Sequence, residues 1–355
     1  MMNYEEFKDT VLNEIKGFLP SEFKDCDVRL EKVKKNNGVI YDALVIDTYQ
    51  TGQGNKMVPN IYLDSFYEEY SKGNQTLDHC LKDIAAARVK YEVPLNSRVD
   101  LSDLNDFTKV SGQIKVKLVN FEKNTDFLMD KPYTKTLDMA EIYYFEVGRV
   151  GAGMGSVTIN NKMLEVWNAG EESAVTSEDL HKTALENISV NNYYKAESMQ
   201  EVLRSMMGMD FPDDLDMGFA MPGIPDMYVL SNESKIFGAS AMLDENLLEK
   251  LADRCQGDYF IIPSSVHELI AVPQFGQSYE EIEDIIRSVN REVVSSEEFL
   301  SDRCYKFDAE LSRVVFADEG IDNMRTSERD SIPVSDELSF DMDQSQNFRQ
   351  HLGGR

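Results

Sequence analysis

Between two apolar runs the chain carries Pro263-Ser264-Ser265-Val266-His267-Glu268, which sets hydroxyl, imidazole and carboxylate side chains within five residues. A serine nucleophile needs a base within hydrogen-bond reach, and that base needs a carboxylate to orient it. Ser264, Ser265, His267 and Glu268 are therefore the candidates for a hydrolase-like or ligand-processing activity. Their spacing argues against it. On a strand, Ser265 and His267 share one face while Glu268 points to the other, and no Gly-x-Ser-x-Gly elbow precedes them. A serine after proline more often caps a turn, and a histidine in a hairpin more often serves the hairpin itself. None of the four is expected to be catalytic.

The stretch GRVGAGMGSV, residues 148–157, holds four glycines and raises the question of a phosphate loop. Such a loop needs its glycines between a strand and a helix N-terminus, where free N–H groups meet the anion. Here both flanks, Tyr143–Val147 and Ser156–Ile159, are strand-like, the spacing matches no nucleotide fingerprint, and no Lys-Ser/Thr follows. These glycines are expected to turn a chain. Asp213, Asp214 and Asp216 lack EF-hand spacing and its closing glutamate. The cysteines Cys26, Cys80, Cys255 and Cys304 form no Cys-x-x-Cys or Cys/His set. No metal and no cofactor is expected, and reduced thiols in the cytosol are.

With 36 basic against 64 acidic side chains, the formal charge is −28. That excess disfavours nucleic acid and anionic lipid, both of which need clustered Lys and Arg. The basic group Arg29, Lys32, Lys34 and Lys35 is broken by Glu31 and reads as the solvated face of a strand. The first residues show neither a basic n-region nor an apolar core of a signal peptide, and no run is long enough to span a bilayer.

The elements that must position these residues follow from periodicity. Tyr4, Phe7, Val11, Ile15, Phe18 and Leu19 define a first helix stopped by Pro20, and Asn36-Asn37-Gly38 turns a hairpin over 28–47. An aromatic helix ends at Gly73. The helix 76–92 buries Leu77, Cys80, Leu81, Ile84, Ala87 and Tyr91, with Asp78, Lys82, Asp83, Arg88 and Lys90 on the opposite face. Strands are expected at 112–121, at TLDMAEIYYFEV and at SVTINNKMLEVW, then helices at 176–188 and over SMQEVLRSMMG. Residues 209–226 read as an irregular insertion. A strand DMYVLSN and a helix DENLLEKLADRC precede the PSSVHE hairpin. The capping box Ser278/Glu281 opens a helix burying Tyr279, Ile282, Ile285, Ile286 and Val289, and Ser295/Glu298 opens a short second one. CYKFDAELSRVVF closes the fold.

VPNIYLDSFYEEYSKG, LEVWN…EDLHKTALEN, DMYVLSN…FGASAML and above all YFIIPSSVHELIAVP resemble the bacterial family catalogued as domain of unknown function 5688, in matching order over residues 1–317. The second half is weakly similar to the uncharacterised family 1444 as well. Neither resemblance implies an activity, a cofactor or a catalytic residue; the first implies that PSSVHE is a family motif. The expectation is an α+β protein of mainly antiparallel strands flanked by helices. It comprises an N-terminal helix–hairpin–helix region over 1–94, a larger α+β region over 108–317 and a disordered acidic tail over 318–355. Its expected function is non-enzymatic binding or regulation, with a protein or small molecule as partner, no direct nucleic acid and no membrane. The alternatives are the PSSVHE enzyme and an acidic decoy that occupies a nucleic-acid-binding protein.

Overall fold

A computed structural model describes residues 2–48, 58–90, 103–150, 153–169, 174–191, 193–206, 226–274 and 276–318. The elements run α1 (Tyr4–Glu14), β1 (Asp27–Lys34), β2 (Ile40–Asp47), β3 (Asn60–Tyr62), α2 (Asp64–Ser71), α3 (Leu77–Lys90), α4 (Phe107–Val110), β4 (Ile114–Asn120) and α5 (Thr125–Leu128). There follow β5 (Tyr133–Thr136), β6 (Met139–Val150), β7 (Gly153–Thr158), α6 (Asn161–Trp167), α7 (Ser177–Asn191), β8 (Tyr194–Ser198) and α8 (Met199–Met206). The chain closes with β9 (Tyr228–Asn232), α9 (Glu245–Cys255), β10 (Tyr259–Ser265), β11 (Glu268–Pro273), α10 (Tyr279–Glu292), β12 (Tyr305–Asp308) and β13 (Arg313–Phe316). Helices and antiparallel sheets make this an α+β protein. The Asp-rich insertion, except its last residue, and the acidic tail beyond Asp318 lie outside the described residues.

The chain divides into two units, 1–114 with 126–132 and 144–176, and 115–125 with 133–143 and 177–355. In the first, the sheet β1-β2-β3 is antiparallel throughout, Leu30 facing Leu44 and Leu44 facing Ile61 in register. Asn37 and Gly38 both take positive φ in the β1–β2 connection, which is why an Asn-Gly pair stands there. Phe7 and Val11 of α1, and Ile15 just beyond its end, pack with Leu44 and Ile46 of β2 and with Cys80, Leu81 and Ile84 of α3. Arg88 corrects the helical-face expectation for α3. It is fully buried, its guanidinium donates from Nε to the Ile46 carbonyl at 2.9 Å, and it lies over the Phe23 ring. A side chain this long can turn back across the helix edge and place its charge under a strand.

The glycine-rich stretch belongs to a β-ladder: β6 pairs with β7 from Tyr144 opposite Thr158 to Val150 opposite Gly153, with Gly148 facing Gly155. Among the described residues these glycines lie on paired strands, with no helix N-terminus beside them. The expected strand SVTINNKMLEVW ends at Thr158. Asn160 then accepts from the Met163 amide and caps α6, so NKMLEVW is helical.

The second unit is dominated by a six-stranded antiparallel sheet in the order β13-β12-β10-β11-β9-β8. Its centre, the β10–β11 hairpin, is the PSSVHE stretch with its apolar flanks. Ile282 and Ile286 of α10 pack on Phe260 and Cys304, while Ile285 is solvent-exposed, against the expected face. The Ser278/Glu281 capping box forms in full. Ser295/Glu298 makes only a turn, in which the Glu298 and Phe299 amides donate to the Ser295 carbonyl. Elsewhere in this unit, Asn120 of β4 donates to the Leu300 carbonyl, and Asp138, in the turn between β5 and β6, accepts from Ser301 Oγ at 2.6 Å and from the Tyr305 hydroxyl at 2.5 Å. These bonds anchor the segment 298–305 that lies against the hairpin tip.

Candidate functional site

The β10–β11 ladder runs in register from Tyr259 opposite Pro273 to Ile262 opposite Ile270, then shifts so that Ser265 faces Glu268. The shift leaves one extra residue on β10 around Pro263, which has no N–H to offer a ladder. Val266 and His267 form the two-residue tip, so the expected shared strand face of Ser265 and His267 is replaced by a turn. Within it the Ser265 Oγ accepts the His267 amide at 3.0 Å. Val266 is buried, and its amide donates to the Glu298 carbonyl at 2.9 Å.

His267 faces a segment thirty residues upstream. Its Nδ1 accepts the Phe237 amide at 3.1 Å, and the Phe237 ring stacks on the imidazole at 5.8 Å between centroids. Phe237 has a φ of 56°, in the left-handed region, which is uncommon for a bulky residue. Lys117 of β4 lies over the same ring. The His267 carbonyl accepts the Ser231 hydroxyl at 2.8 Å. At Gly238, a Cβ would stand 2.1 Å from Ser231 Oγ and 2.4 Å from the His267 carbonyl oxygen. Only glycine allows this approach of the two backbones. The motif FGAS is thus read by the motif SSVHE through main-chain contacts.

Because Nδ1 accepts an N–H, the neutral ring carries its own hydrogen on Nε2. Nε2 stands 3.7 Å from the half-exposed carboxylate of Glu298. An ion pair so exposed contributes about 0.2–1 kcal/mol. Losing the acceptor of the Phe237 amide would cost about 1–3 kcal/mol. The second effect is the larger. The carboxylate facing the ring is Glu298, and the neighbouring Ser265 oxygen receives a main-chain proton. Ser264, Ser265, His267 and Glu268 are thus brought into one hairpin, in which Ser265 and His267 bond to main-chain amides.

A second pairing escaped the sequence reading. Glu141 of β6, only 1% exposed, accepts from the Thr136 hydroxyl of β5 and stands 2.6 Å from Nδ1 of His181 on α7. Beside it the Tyr143 hydroxyl meets Thr134 at 2.7 Å, and burial holds that phenol well above its usual range. Met139, Glu141 and Tyr143 alternate along β6 and share one face, so a lone carboxylate in an apolar strand was the available signal. Such a carboxylate orients a histidine ring through Nδ1. Among the described residues no set of three or more His, Cys, Asp or Glu side chains converges as metal ligands.

In the first unit, Phe18, Pro20, Ala85, Ala86 and Val89 line a shallow groove edged by Lys82 and Lys90. Apart from the two lysines at its edge, its lining side chains are apolar.

These features define an α+β protein whose candidate motif is woven into the main chain of a central antiparallel sheet. The chain belongs to the Family of unknown function (DUF5688), whose model matches residues 4–309. Neither the curated proteins nor the solved structures give a significant match.

Proposed function

We propose that this chain is a binding or regulatory protein in which PSSVHE is scaffold and not catalytic centre. The observation that carries the reading is the Phe237 amide on Nδ1 of His267. A histidine that activates a serine must aim one nitrogen at the hydroxyl and offer the other to an orienting acceptor. Here one nitrogen accepts a backbone amide, the other faces Glu298, and Ser265 Oγ caps the turn. The partner is a protein or a small molecule. The acidic balance disfavours nucleic acid, and no helix of the described residues is long and apolar enough to cross a membrane. Four free cysteines, three of them buried, suit a reducing cytosol.

The test has two arms. Purified protein is melted in the presence of the small-molecule and the macromolecular fraction of a cell lysate, since any ligand of the folded state raises stability as ln(1 + [L]/Kd). The same preparation and its His267→Ala variant are assayed with 4-nitrophenyl esters of increasing chain length. A stabilising fraction together with ester hydrolysis no faster than buffer supports the reading. Multiple-turnover hydrolysis that disappears in His267→Ala overturns it.

A further inference from the structure

We propose that His267 makes the hairpin tip a proton-sensitive latch. The neutral ring holds the segment 232–238, and protonation in the histidine range releases it. This goes beyond the binding reading and does not depend on which molecule is bound.

The neutral ring accepts the Phe237 amide at Nδ1 and carries its hydrogen on Nε2, so an added proton can enter only at Nδ1. There it meets the Phe237 N–H, donor against donor. Phe237 is held in the left-handed region, and its ring stacks on the imidazole that would become charged. A backbone held in that region persists only while its surroundings over-determine it. Removing the acceptor withdraws one of those restraints from Phe237, and the Gly238 packing and the Ser231 bond depend on the same hairpin tip.

The charged groups that face the ring act in both directions. Glu298, on the segment packed against the tip, stands 3.7 Å from Nε2 and favours the imidazolium. Lys117, reaching from β4 over Phe237, opposes a second positive charge on the far partner of that ring pair. Glu268, the first residue of β11, follows His267, and β9 contributes the neutral Ser231. The half-exposed Glu298 pair is the weaker influence and the lost amide acceptor the stronger.

The experiment follows amide hydrogen exchange of the 228–239 peptide in the full-length protein at pH 7.5 and 5.5, corrected for the intrinsic pH dependence. Wild type is compared with His267→Asn, whose side-chain oxygen can replace Nδ1 as acceptor but does not protonate in this range, and with Glu298→Gln. Wild type is expected to exchange at least tenfold faster in this peptide at pH 5.5, His267→Asn to show no such change, and Glu298→Gln to keep it. An equal response in wild type and His267→Asn overturns the latch. So does a response abolished by Glu298→Gln, which would place the switch in the ion pair. If His267→Asn does not fold, nitrogen NMR of the wild-type ring decides. Protonation that leaves the Phe237 amide protected overturns the proposal, and protonation that coincides with its loss supports it.

Discussion

At the scale of single residues, the close approaches make the sharpest predictions. Gly238 lies where a methyl group would stand 2.4 Å from the His267 carbonyl, which belongs to backbone and cannot swing aside. Gly238→Ala should therefore lower the unfolding free energy by about 1–3 kcal/mol, the range of overpacking in a filled site. Removing the Ser231 hydroxyl in the same chain should not restore stability, because the carbonyl contact remains; urea unfolding of both variants measures this. Glu141 is the opposite case, a buried carboxylate that would be costly without partners. His181→Ala should destabilise by about 3–5 kcal/mol by leaving that buried carboxylate with the Thr136 hydroxyl but no histidine, whereas His181→Ala combined with Glu141→Met should recover much of the loss. A double variant as unstable as the single one would show that the pair does not act as a unit. The signals for these sites differed in legibility. His267 could be read as a hairpin histidine from its neighbours alone. Its acceptor role could not, because Phe237 lies thirty residues away and the strand order that joins them is not written in any local pattern.

At the scale of elements, periodicity and caps were read correctly where one face of the element meets the core. The spacing of Phe7, Val11 and Ile15 gave α1, Asn-Gly gave the β1–β2 connection, and Ser278 with Glu281 gave the start of α10. The same signals misled where a competing interaction decides. The Ser295/Glu298 pair has the letters of a capping box, yet Val266 takes the Glu298 carbonyl and the segment stays a turn against the hairpin tip. NKMLEVW is too short for its apolar spacing to separate strand from helix, and Asn160 settles it by capping. Arg88 was placed with the solvent face of α3 by its charge, although its stem spans the helix edge and its guanidinium serves the β2 carbonyl. This makes Arg88 the fastener between α3 and β2 in the first unit. Arg88→Ala should destabilise by about 2–4 kcal/mol, from the cavity beside Phe23 and the unsatisfied Ile46 carbonyl together. Lys82→Ala, on the exposed side of the same helix, should change stability by less than about 0.5 kcal/mol. Chemical denaturation of the two variants side by side separates a buried fastener from a surface charge.

At the scale of the whole molecule, net charge and buried acids combine to set an alkaline limit. Burial pushes the Cys255 thiol up to about 11 and the Cys304 thiol up to about 12, and it raises the phenols of Tyr143, Tyr194, Tyr259 and Tyr305 as well. All these groups are neutral when protonated, and each holds its proton more tightly folded than unfolded. Their contribution is therefore fully present below the unfolded values, about 8.5 for a thiol and about 10 for a phenol, and is lost as pH rises through the folded ones. The formal charge of −28 acts in the same direction, since every further ionisation adds to self-repulsion. The expected outcome is a steep loss of stability between about pH 9 and 11, with phenolate absorbance of the buried tyrosines appearing together with loss of helical circular dichroism. Raising ionic strength from 0.05 to 0.5 M should move the transition to higher pH by screening the repulsion but should not abolish it, because desolvation of the buried groups does not depend on salt. If the tyrosines titrated smoothly in the folded protein, ahead of any change in circular dichroism, their burial would not be what limits the fold at high pH.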